Sequence, residues 1–187
     1  MLALAARRPR EASGYLLDHP DWPGLPIATK RRFVAHEWLV LYEGPDAGPM
    51  TRFTEDQWEA IFDEVGYFSV HHLLREIAPG KFTETLTVRP AEVPPSPFPT
   101  LYRSAPPEWR DRWSWTPMLL GAKTLHRPGT KIWTHDGPEK VFMHITELKT
   151  VLPGSDEEPI IFEEYVVRPG VVTPFTPPTT TPRKQKP

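Results

Sequence analysis

The chain has no cysteine, no long apolar run and almost no net charge. Without cysteine there is no disulfide, no thiolate nucleophile and no cysteine-ligated zinc. No stretch approaches the ~18 apolar residues that a membrane helix needs. The opening "MLALAARRPR" is apolar only ahead of its arginines, the wrong order and length for a signal peptide. These absences lead to the expectation of a soluble, cytoplasmic protein with no membrane contact. A net charge of −2 and a pI of about 6.4 provide no global pull toward nucleic acid or an anionic membrane, although a local basic patch is compatible with them. The chain also lacks GxxxxGK[ST] and GxGxxG loops, a GxSxG elbow and an HExxH pair. That argues against a P-loop enzyme, a Rossmann domain, a serine hydrolase and a zinc protease. The 7 histidines show no three-ligand spacing, so no metal site is expected.

Proline, by contrast, is in excess: 25 residues where average usage would give about 9. The prolines gather at 94–99 and 169–187, with others near 20–26, and read as connectors around a compact centre. With 187 residues, 39% apolar and 11% aromatic, the chain can fill the core of one ordinary domain. Five regions follow. Residues 1–28 are irregular, 29–90 are mainly helical, 91–99 are a proline-rich connector, 100–170 are a β core, and 171–187 are a flexible Pro/Thr-rich tail.

Within 29–43, Phe33, Val34, Trp38, Leu39 and Tyr42 fall near helical spacing, with Thr29 as cap and Gly44 as stop. The clearest helix is 55–65. Thr54 and Gln57 form a capping box, Trp58, Ile61, Phe62 and Val65 form an apolar stripe, and Gly66 ends it. "VHHLLREI" at 70–77 reads as another short helix, and "KFTETLTV" at 81–88 as a strand or extended arm. Beyond residue 100, "TLYRS" and "RWSWT" read as strands, with Trp113 and Trp115 on one face and Ser114 and Thr116 on the other. "PMLLGAKTLH" reads as a helix with Thr116 as cap and Pro117 at its first position. "TKIWTH", "KVFMHIT", "TVLP" and "IIFEEYVV" add further strands. The expected fold is α+β: N-terminal helices packed on a two-sheet, mostly antiparallel β core.

The stretch "LYRSAPPEWRDRWSWT" and the late strand "FEEYVV" hold the residues that could do chemistry. An arginine fork such as Arg103 can hold a diphosphate through paired contacts. The hydroxyls of Ser114 and Thr116 can bond a ribose or a small amide. A carboxylate such as Glu164 can orient sugar hydroxyls and stabilise the positive charge that builds as a glycosidic bond breaks. Together they suit cleavage of an N-glycosidic bond in a molecule such as NAD. Each has a plain structural reading when taken singly: a salt-bridged edge arginine, a half-buried strand, solvated acids.

In this order the residues resemble the ADP-ribosyltransferase superfamily with its Arg, Ser-x-Ser/Thr, Glu pattern, and small bacterial and phage members in particular. "LYRS" stands at 101–104, "SWT" at 114–116, Ala122 at the family interval after Ser114, and "EYVVRP" at 164–169. The matching portion covers roughly 100–170, and the helix at 55–65 resembles a segment that commonly precedes it. The resemblance implies a β core of ADP-ribosyltransferase type and an NAD-dependent ADP-ribosyltransferase or NAD glycohydrolase with a toxin or effector role. Arg103 would contact the NAD phosphates or adjoining ribose, Ser114 and Thr116 would support the nicotinamide ribose, and Glu164 would be the catalytic glutamate. The partners would be NAD, a macromolecular acceptor (protein or nucleic acid) and an inhibitory protein of antitoxin type. The chain departs from the pattern at Ser104, where a glycine is usual, and at Leu125-His126, where the helix motif ends in Phe-Ala. It also has Phe162 where arginine-modifying relatives carry a first glutamate, which points to an acceptor other than arginine. Two other classes stay open: a non-catalytic module that binds single-stranded nucleic acid or a protein through its Trp/Arg surface, and a phage structural protein.

Overall fold

The computed structural model describes residues 21–39, 53–78, 80–90, 93–150 and 159–177. Helix α1 spans Ile27–Leu39 and α2 spans Glu55–Val65. Strands β1 (Phe68–Ala78) and β2 (Lys81–Pro90) form a hairpin. Then come β3 (Leu101–Ala105), a 3-10 turn at Pro107–Trp109, β4 (Ser114–Trp115), α3 (Leu119–Thr124), β5 (Lys131–His135), β6 (Lys140–Thr150), β7 (Ile160–Arg168) and β8 (Thr173–Pro174). The protein is α+β, with two sheets ordered β2-β1-β6-β7-β4 and β3-β5-β8. Every pairing is antiparallel except β1 with β6, so the larger sheet is mixed.

Helix α2 forms as its local chemistry dictates. The Thr54 side chain accepts from the Gln57 amide, Gln57 Oε1 accepts from the Thr54 amide at 2.9 Å, and Gly66 ends the helix at φ 63. Its buried stripe of Trp58, Ile61, Phe62 and Val65 joins Val34, Ala35 and Trp38 of α1. Together they cover one face of the large sheet, meeting Phe68 and Val70 of β1, Met143 and Ile145 of β6 and Val166 of β7. The small sheet packs on the other face through Leu101, Ala105, Trp115, Trp133, Tyr165 and Val167. The β5–β6 and β7–β8 connections touch so closely that a Cβ on Gly170 would lie 2.6 Å from the Gly137 carbonyl oxygen, which only glycine permits.

Four sequence expectations change. Residues 70–77 are strand, not helix, and the region from 68 to 90 is a β-hairpin. The alternation Phe68, Val70, His72 was hidden because its third inward position holds a histidine, buried between two carboxylates. Trp113 and Trp115 do not share a face: Trp113 stacks on Phe142 in the helix-covered core, and Trp115 lies between the sheets. The Trp113 carbonyl still accepts from the Val167 amide at 2.9 Å, but Trp113 stands just outside β4 and departs from its alternation. The helix after "SWT" starts two residues late, at Leu119 with Met118 as its cap, while the Thr116 hydroxyl accepts from the Met118 amide at 3.1 Å. Finally, Thr173–Pro174 pairs with β5, so part of the expected tail belongs to the small sheet. After Thr150, the expected "TVLP" strand falls outside the described residues, as do residues 1–20, 40–52 and 178–187.

Candidate functional site

Arg103 sits in the middle of β3, paired with Trp133 of β5. Its Nη1 donates to the Ser114 carbonyl at 2.6 Å and its Nε to the Trp109 carbonyl at 3.2 Å. Two bonds at an angle fix the plane of a guanidinium, which carries five donors in a rigid fork. Alongside it, Tyr102 and Thr116 exchange backbone bonds of 2.7 and 3.0 Å, the bridge that joins the small sheet to the large one.

Ser114 pairs with Val166 of β7, and Trp115 with Tyr165. Glu164 lies two residues before Val166, so it shares the face of Ser114. The ladder with β7 ends at Trp115, and Thr116 turns to pair with Tyr102 of β3. The diagonal from Ser114 to Glu164 is a separation of roughly 7–8 Å in such a ladder. Arg103, Ser114, Thr116 and Glu164 therefore occupy three adjoining chain segments, although 61 residues separate the first from the last. Helix α3 closes on this group: a Cβ on Gly121 would lie 3.1 Å from the Phe162 ring and 3.6 Å from Thr116 Oγ1. Phe162 thus places an apolar ring, not a second carboxylate, beside Glu164.

Sequence reasoning missed one contact. Trp38 of α1 donates its indole N–H to Glu164 Oε1 at 3.1 Å, across 126 residues of chain. The ring is held edge-on by Trp58 at 5.5 Å and by Phe62 at 5.9 Å. Trp38 was legible as part of a helix's apolar stripe, but no local signal tells a core tryptophan from one whose N–H faces a distant carboxylate.

The neighbouring row of the same sheet face is charged. His72 of β1 lies 2.5 Å from Glu84 of β2 and 3.0 Å from Glu147 of β6, and Glu147 is itself paired with Phe162. The hydrogen bond with Glu147 raises the His72 pKa against the opposing effect of burial, and Glu84 adds to the rise. On the opposite face, Glu163 lies near His144, whose ring stacks on Tyr165 at 4.4 Å. Burial lowers the His144 pKa and pushes the Tyr165 phenol up to about 12. Alternation along β7 thus separates the two adjacent glutamates, one toward the helices and one toward the far face.

The aromatic surface that a nucleic acid would stack on is small. Trp113 and Trp115 are 2% and 1% exposed, and Trp109 alone of the three is open, at 40%. No helix among the described residues is long and apolar enough to cross a membrane. No protein-family model, no curated protein and no solved structure matches the chain.

Proposed function

We propose that the protein is a cytoplasmic NAD-dependent ADP-ribosyltransferase, with a core of that type, which cleaves the nicotinamide N-glycosidic bond and passes ADP-ribose to a macromolecular acceptor or to water. The observation that carries this reading is the convergence of Arg103, Ser114 and Glu164 on adjoining strands, with the serine and the glutamate on one face. In the reaction the bond from ribose C1 to the nicotinamide nitrogen breaks and its electron pair leaves with neutral nicotinamide. Positive charge then develops over C1 and the ring oxygen. Glu164 accepts from a ribose hydroxyl and offsets that charge, Ser114 supports the nicotinamide ribose, and the oriented Arg103 guanidinium neutralises the diphosphate. An acceptor nucleophile attacks C1, forming the new bond to the ribose, and releases its proton to solvent water. Phe162 provides no carboxylate to take that proton, which supports an acceptor other than arginine.

Glu164→Gln keeps the side chain's size and one acceptor oxygen but removes the charge. Nicotinamide release from NAD should fall by at least about 100-fold, the scale of losing a main electrostatic contact in a transition state. Its denaturant midpoint should match that of the parent. Equal turnover in parent and variant would remove Glu164 from this role, and calorimetry showing no NAD binding by the parent chain would favour the binding-module class.

A further inference from the structure

We infer that Trp38 is a positioning residue for Glu164, and that the N-terminal helices are therefore part of the catalytic apparatus and not an appended domain. This rests on Glu164 being the catalytic carboxylate. A glutamate side chain has three rotatable bonds, and a carboxylate that must face a ribose hydroxyl gains from being fixed beforehand. The indole N–H is a donor with no acceptor capacity, so it can bond the carboxylate oxygen in one sense only. Trp38 cannot easily turn away from Glu164. It stands one helical turn after the fully buried Val34, and its ring is gripped by Trp58 and Phe62 of α2. Trp58 is gripped in turn by Phe53 at 5.5 Å. An aromatic chain thus runs from the start of α2 to the carboxylate, each ring packed against the next.

The test uses the full chain and NAD, with nicotinamide release as the readout. Trp38→Phe keeps most of the packing and removes the donor; replacing Trp38 with benzothienylalanine keeps the ring shape and removes only the N–H. Both should lower kcat by about 10- to 100-fold, the range for a hydrogen bond to a charged group. KM for NAD should stay within about twofold. The acid limb of the kcat profile should move to higher pH, because a carboxylate that loses a donor is easier to protonate. Val141→Ala, in the core between the two sheets and away from α1, is the packing control: it costs stability, leaves the donor and its helix in place and should keep kcat once folded. An unchanged kcat in the benzothienylalanine protein, or an equal loss in Val141→Ala, overturns the role of Trp38. The two inferences fail in different ways. Turnover that collapses in Glu164→Gln but survives loss of the indole N–H removes Trp38 alone, whereas a parent chain without NAD turnover removes both.

Discussion

Where α1 and α2 cover the large sheet, buried Lys30 and His72 are bonded to charged partners; where the small sheet covers it, buried His135 is not. On the helix side, the His72 ring lies between Glu84 and Glu147, Lys30 bonds Glu64, and Glu164 accepts from Trp38. On the other side, both ring nitrogens of His135 are buried without a hydrogen-bond partner, and Trp115 packs edge-on against the ring at 4.4 Å. Helices send long side chains across a sheet from several directions, so a charged group can find a partner there. Two sheets meet at a nearly fixed spacing of roughly 10 Å, filled by alternating rings and branched chains, and a charge between them has little to reach. The difference teaches which face can hold an ordered carboxylate: the one with donors above it.

The contrast can be tested. The largest effect is expected from Trp58→Ala, which removes a fully buried ring between Trp38, Phe53 and Phe62. A loss of about 3–5 kcal/mol, read from urea unfolding, is the usual result of such a truncation. A loss under about 1 kcal/mol would mean that the helix layer is not integral to the fold.

Next in size is the acid side of His135. Burial pushes its pKa down to about 4 from the ordinary 6.5. The unfolded chain takes up this proton near pH 6.5 and the folded chain only near 4. This contribution to stability is therefore complete above about 6.5 and is lost as pH falls through that interval. His135→Leu should flatten the fall in melting temperature over the same range. An unaltered slope would show that the ring finds a partner in solution.

The smallest effect belongs to His72 and has the opposite sign. Its pKa is raised above 6.5, chiefly by Glu147, so its contribution is complete below about 6.5 and is lost as pH rises through the folded value. His72→Gln should weaken the protein at pH 6 more than at pH 9, and equal losses at the two would remove the charged-partner reading of this face.

Local patterning carried much of the fold. The capping box of α2, the extended segment at 81–88, the three late strands and the burial of Trp115 follow from side-chain spacing and residue type. Failures came where one residue broke the expected period for a tertiary reason. His72 occupies an inward position because carboxylates from two other strands meet it, which made a strand look like a helix. Trp113, just outside β4, turned to the helix side, where it packs on Phe62 and Phe142. The candidate residues Arg103, Ser114, Thr116 and Glu164 could be picked out in the chain, but their adjacency could not, since no local spacing encodes a register between segments tens of residues apart.

By itself the sequence determined which residue types were present, which catalytic classes lacked their motifs and where short elements would form, because those depend on neighbours within a turn or a pleat. Only the tertiary structure decided that Glu164 faces the helices while Glu163 faces away, that Arg103 is anchored on the strand carrying Ser114, and that Trp38 reaches the carboxylate. Those are facts of register and layer packing, set by the pairing of β4 with β7 and by the aromatic contacts that lock α1 onto α2.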